Sequence, residues 1–110
     1  MNNSNNKIQL VEAIESYTLL PKNSKQVLVT LVKFDEAVTA GSIGQALNLP
    51  KQVIYPCLSK LAAAGFINKL KIENTTYHIF SINKNRMEEI LDLFNKTQNI
   101  LKEKLNSNKY

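Results

Sequence analysis

The hydrophobic period of this chain changes once, at Gly65, and that change narrows the possible folds more than any other feature. Upstream, Ile54, Cys57, Leu58, Leu61 and Ala62 recur at helical spacing and form one apolar stripe. Downstream, Phe66–Ile72 and Thr76–Ile82 alternate, separated by the turn residues Glu73, Asn74 and Thr75. That is the pattern of a β-hairpin. Gly65 is a C-cap signal, because glycine adopts the left-handed backbone that ends helices at no steric cost.

Working outward from this junction places the other elements. Residues 1–6 are polar and low in complexity, and read as a disordered tail. Ile8, Leu10, Val11, Ile14 and Tyr17 predict an amphipathic helix over about 7–18, ended by Leu20-Pro21, within an N-terminal segment 7–20. Asn23 with Gln26 makes a capping-box-like start for a second helix, whose Val27, Leu28, Leu31 and Val32 share a face. Ala37-Val38 suits a single β-bridge. Thr39 is placed to cap a helix over about 40–47, with Ile43, Ala46 and Leu47 inward. Asn48 tolerates the left-handed turn after it, and Leu49-Pro50 opens the helix that runs to about Ala64. Asn83 caps a final helix over 84–106, where Met87, Leu91, Phe94, Gln98, Leu101 and Leu105 step in a heptad-like seam.

Gly44, Asn48 and Ile54 then meet three requirements at once. Two crossing helices want a small residue at the crossing, a residue able to adopt positive φ in the turn, and a branched apolar residue as a lock. Helix, short strand, helix, tight turn, helix and hairpin is the order of a winged helix. The fold class is therefore mainly α with a small β-hairpin (α+β): a winged helix-turn-helix with N- and C-terminal dimerisation helices. Its core spans 23–83, with the helix-turn-helix at about 40–64 and the wing at 66–82.

The segment Val53–Ile67 resembles the recognition helix and first wing strand of PadR-type and MarR-type bacterial regulators. The resemblance rests on Tyr55-Pro56, Leu58, Leu61, Gly65 and Phe66-Ile67, and on Phe80-Ser81-Ile82-Asn83 where the wing meets the last helix. It covers residues 24–106. Lysines stand where those families carry arginine. The helix before the core fits MarR-type or plasmid-segregation winged-helix proteins better than PadR-type ones. The resemblance implies a DNA-binding regulator.

Charge supports that implication from an independent direction. The 110 residues carry a net charge of +5, but residues 37–72 hold Lys51, Lys60, Lys69 and Lys71 and no acid, so most of the excess sits there. A major groove admits one helix and reads it through outward side chains. With Ile54, Leu58 and Leu61 inward, Lys51, Gln52, Tyr55, Ser59 and Lys60 are outward or flanking. Gln52 suits adenine and Lys suits guanine. Tyr55 either touches a thymine methyl or a phosphate, or lies against the wing. Lys69 and Lys71 share one strand face, suited to phosphate, while Glu73 at the tip would be repelled. Ser42 and the start of its helix offer N–H groups to a phosphate.

The expected partners are double-stranded DNA and a second copy of the chain, joined through Ile8, Val11, Met87, Leu91, Phe94, Leu101 and Leu105. A second protein or a small-molecule effector stays open, since no residue set identifies one. One cysteine and one histidine are too few for a zinc site, and no nucleophile, base and orienter stand in a recognisable arrangement. Neither cofactor, metal nor catalytic residue is expected, so the chain reads as a non-enzyme. Cys57 reads as packing and His78 has no evident partner. With no apolar run of the ~20 residues a span needs and no signal-peptide pattern, the expected location is cytoplasmic. The leading reading is a sequence-specific homodimeric repressor at a pseudo-palindromic site. The alternatives are a plasmid or phage centromere-binding adaptor of the same fold, or a winged-helix module that binds protein only.

Overall fold

The structure, a computed structural model, describes residues 3–107. Five helices and one hairpin follow in the order α1 (Asn3–Ser16), α2 (Lys22–Phe34), α3 (Ala40–Leu47), α4 (Lys51–Ala63), β1 (Ile67–Lys71), β2 (His78–Ile82) and α5 (Lys84–Ser107). The strands pair antiparallel, with Ile67 opposite Ile82 and Lys71 opposite His78. Val38 adds the isolated bridge, exchanging backbone bonds of 3.0 and 2.7 Å with Phe80. This is the winged-helix architecture.

Local chemistry sets most of the boundaries. The Thr39 hydroxyl accepts from the Ser42 N–H at 3.3 Å and starts α3. Asn83 Oδ1 accepts from the Arg86 N–H at 3.3 Å and starts α5. Asn48 (φ 54°) and Gly65 (φ 83°) sit in the left-handed region, and each closes a Schellman motif. After α3, Leu49 N–H reaches Gly44 O at 3.0 Å and Asn48 N–H reaches Gln45 O at 3.3 Å. After α4, Phe66 N–H reaches Leu61 O at 2.9 Å and Gly65 N–H reaches Ala62 O at 3.1 Å.

Some elements begin or end away from their sequence-based positions. α1 starts at Asn3, so residues 3–6 lie in a helix and not in the expected tail, while Met1 and Asn2 fall outside the described residues. α2 is preceded by Pro21 with no side-chain cap, so Asn23 lies inside its first turn. Proline's fixed φ already delivers the extended backbone that a helix entry needs. Ala46 is exposed, because α3 turns only Ala40 and Ile43 fully inward.

Ile14, Val27, Leu28, Leu31, Ile43, Ile54, Leu58 and Leu61 form the centre of the core, and Phe66, Ile67 and Phe80 close it from the hairpin. α3 crosses close to the turn before α4 at Gly44, where an added Cβ would stand 3.0 Å from the Leu49 carbonyl and 3.8 Å from Ile54. Pro56 lies inside α4. Its missing N–H leaves the Gln52 carbonyl without a helical donor, and Gln52 lies in the exposed first turn where water replaces it.

α5 divides along its length. Met87 and Ile90 are buried in the core, and Leu91 and Phe94 pack against it. Met87, expected at a dimer interface, is therefore a core residue of its own protomer. Val11 also packs on the core, whereas Ile8 is exposed. Beyond Phe94 the helix has run past the domain, leaving Ile100, Leu101 and Leu105 at 53, 49 and 68% exposure.

Arg86 ties three elements together and had no sequence signal. Its guanidinium lies 4.6 Å from the Phe66 ring centroid, and Tyr17 meets the same ring edge-on at 5.9 Å. Its Nη1 donates to Glu89 Oε1 at 2.9 Å, and that bond holds the guanidinium pKa above its ordinary value.

Two outcomes follow for thermal or urea unfolding. Gly44→Ala is destabilising by about 1 kcal/mol despite alanine's better helix propensity, while Gly41→Ala, whose Cβ would meet only Thr39 Oγ1 at 3.8 Å, is neutral or stabilising by up to ~1 kcal/mol. Arg86→Ala costs about 1–2 kcal/mol, because the cation no longer stacks on Phe66 and the side-chain stem no longer packs.

Candidate nucleic-acid interface

The buried stripe of α4 fixes which residues point away. Ile54, Cys57, Leu58 and Leu61 face the core. Lys51, Gln52, Tyr55, Pro56, Ser59 and Lys60 are all exposed. They form one continuous face over the first three turns of the helix, with Tyr55 half exposed. The side chains expected to read DNA thus stand on a single surface.

The hairpin register extends this surface. Lys69 pairs across the sheet with Phe80, and Lys71 with His78. Cross-strand partners share a face. Phe80 and Ile67 are buried, so the two lysines lie on the face turned toward the domain, at its exposed outer part. Leu70 and Ile72 occupy the opposite face at 64 and 37% exposure, with Tyr77 also exposed. The alternation read from the sequence holds, but it does not bury the apolar residues, because a two-stranded wing has only one face against the core.

α4 and the hairpin meet in a small cleft lined by Tyr55, Leu58, Ser59, Lys69, His78 and Phe80. The cleft brings Tyr55, Ser59 and Lys69 together and adds His78, which sequence reasoning left without a partner. The register locates it: a four-residue connection, 73–76, sets His78 opposite Lys71, whereas the turn 73–75 read from the sequence would set Tyr77 there and put His78 on the other face.

Ser42 is placed differently. It is half-buried, its N–H is occupied by Thr39 Oγ1, and its hydroxyl lies 3.2 Å from the same oxygen. The backbone donor expected from Ser42 is thus used within the helix cap. Cys57 is buried on the core side of α4. Glu73 is exposed at the tip of the wing, where the left-handed Asn74 (φ 64°) turns the chain. No group of three or more His, Cys, Asp or Glu side chains gathers among the described residues, and no helix there is long and apolar enough to cross a membrane.

Electrostatically the surface is positive up to the wing tip, where Glu73 is the first acid. No acid occurs between residues 37 and 72; Lys69 shares a cleft with Tyr55 and Ser59 of α4, whereas Lys60 borders a separate one with Pro21, Ser24 and Phe66. A neutral or cationic partner would gain nothing from that arrangement, whereas a polyanion gains at each cation.

Comparison with known proteins places this geometry. A family described as sugar-specific transcriptional regulator TrmB matches residues 20–83, the winged core with its entry. No curated protein sequence matches. Among solved structures, the ST1889 protein of Sulfolobus tokodaii superposes with a TM-score of 0.57 at 17% identity, covering 92% of this chain and 98% of that one. A Staphylococcus aureus MepR mutant bound to an oligodeoxyribonucleotide gives a TM-score of 0.62 at 14% identity, over 97% of this chain and 78% of that one. A MarR family regulator from Neisseria meningitidis gives 0.54 at 22% identity, over 83% and 63%. These likenesses are of fold, and they agree with the MarR-type resemblance seen in the sequence.

Proposed function

The chain belongs to the TrmB family of transcriptional regulators, and from that premise we propose that it binds double-stranded DNA as a homodimer and represses by occupying promoter DNA. One observation carries the reading. The exposed face of α4 and the adjoining face of β1 present Lys51, Lys60, Lys69 and Lys71 with no acid among residues 37–72. In this reading α4 lies in the major groove and the hairpin rests on the bordering phosphates. Gln52 pairs with adenine, Tyr55 packs on a thymine methyl or a phosphate, and Ser59 and the lysines hold the backbone. Ser42 contributes its hydroxyl at the edge of the groove. Residues 23–83 serve as the DNA-binding core.

The arms supply the second copy. Ile100, Leu101 and Leu105 line the part of α5 that covers nothing in its own protomer, with Leu93 and Leu19 exposed beside the α1–α2 connection. A two-fold dimer buries this stripe against its symmetry mate. It also presents two copies of α4 to half-sites about 34–36 Å apart, so the preferred site is pseudo-palindromic. Affinity then depends on pairing, because one domain offers few phosphate contacts.

Fluorescence-anisotropy titration against a duplex of the DNA flanking its own gene tests the reading. Lys51→Ala and Lys69→Ala should each weaken binding evenly across sequences and lower the log–log salt slope by about 0.9 for each phosphate left unneutralised. Gln52→Ala should instead change base preference, by about 1–3 kcal/mol at one position of each half-site. Absence of salt-sensitive binding by the wild-type chain sinks the proposal. Leu101→Asp combined with Leu105→Asp should give a monomer in sedimentation at tens of micromolar while the cooperative unfolding transition persists. A wild-type monomer at that concentration rules out the dimer.

A further inference from the structure

We propose that the cleft between α4 and the hairpin is a phosphate-binding site for the backbone of bound DNA, that a protonated His78 is one of its contacts, and that DNA affinity therefore rises as pH falls. The inference rests on the DNA-binding reading and adds to it a residue, a site and a proton.

The size of the cleft selects the ligand. Its volume is about 50 Å³, far below the ~300–1,000 Å³ of small-molecule sites and a few times the ~10–15 Å³ that one water needs. A nucleobase or a sugar does not fit, while the oxygens of a single phosphate do. Its lining selects the same chemistry. Leu58 and Phe80 make an apolar floor, and the polar lining is Tyr55, Ser59, Lys69 and His78. Two hydroxyls, an ammonium and an imidazolium all donate, and no carboxylate lines the cleft. The topology then says which phosphate. A helix in the major groove and a wing beside it straddle the backbone strand that borders the groove, and this cleft is the seam between the two.

The proton enters because His78 has cations around it. Lys71 is its cross-strand partner, Lys69 and Tyr55 share its cleft, and the one acid of the hairpin, Glu73, is exposed at the tip, two residues beyond Lys71. α3, which also touches β2, has no ionisable side chain, and those of α2, its other neighbour, are Lys22, Lys25 and Lys33. Beyond α2, Asp35 pairs with Lys7 at 3.5 Å and Glu36 is exposed. A proton on His78 thus adds a further positive charge to a basic surface in the free protein, and a phosphate supplies the counter-charge. Binding of DNA and of the proton favour each other, and by linkage each tightens the other equally. Imidazole is the side chain whose charge changes in the physiological range.

The test is anisotropy titration of the full chain with the same duplex at constant ionic strength, from about pH 8 down to about pH 5.5. Wild-type affinity should rise about three- to tenfold over that interval, a tenfold gain corresponding to a ring midpoint about one pH unit higher in the complex than in the free chain. H78Q should gain little affinity as pH falls. NMR titration of the His78 ring provides a measure that does not depend on the variant's folding. Its midpoint should move to higher pH when duplex is added and stay in place with inorganic phosphate at equal phosphate concentration. Salt-sensitive binding that does not vary with pH, an H78Q that keeps the full pH dependence, or a ring midpoint moved by phosphate but not by duplex each overturns the assignment and leaves DNA binding standing. No binding at any pH overturns both.

Discussion

At Gly44 the backbone of α3 approaches the turn so closely that a Cβ would stand 3.0 Å from the Leu49 carbonyl. That carbonyl belongs to the residue whose N–H bonds back to Gly44 O, so turn and crossing are locked at a single place. Asn48 supplies the left-handed backbone between them, and Ile54, fully buried, anchors the start of α4 against the crossing. The direction of α4 follows from this contact. Once Ile54, Leu58 and Leu61 are inward, the outward set from Lys51 to Lys60 has no freedom left. The hairpin takes its direction in turn from the Schellman motif at Gly65. A close approach of small backbone groups thus orients the exposed face of α4 from the opposite side of the helix.

Much of this was legible because it depends on neighbours in sequence. Thr39, Asn48, Gly65 and Asn83 act on backbone groups within a few residues, and each does in the structure what its chemistry suggests. The bridge at Val38 and the hairpin were readable from alternation. What escaped depends on partners distant in sequence. Nothing local says that α5 stops covering the core after Phe94, because that limit is set by where α1 and its connection to α2 lie in space. Met87 looked like part of a continuous seam for the same reason. His78 acquires its surroundings from strand register and from α4, and Arg86 from Phe66, Tyr17 and Glu89. The start of α2 was misjudged on local grounds, because Asn23 and Gln26 made a plausible cap while Pro21 already set the entry.

Family membership and charge distribution bear on different questions. The match over residues 20–83 says that the core is that of a transcriptional regulator. It does not say which side chains meet the partner. We propose that those come from the exposed half of α4 and from one face of β1, which carry four lysines, with Glu73 the first acid beyond them at the wing tip. The apolar outer face of the wing, with Leu70, Ile72 and Tyr77, lies on the side away from that surface, so the hairpin separates a basic face from an apolar one.

The division of α5 has a geometric consequence. Its first half is fixed to the core by Met87 and Ile90, and its second half carries the stripe that ends at Leu105. One unbroken helix therefore sets the distance and the phase between the basic surface and any partner held at its far end. Each residue of a helix contributes about 100° of rotation and ~1.5 Å of length. In a dimer built on this arm, one residue added or removed between Phe94 and Leu101 would swing the second domain around the helix axis. The two recognition helices would then no longer face the same side of the duplex. In such a dimer the length of α5 would act as a ruler that sets the spacing between half-sites.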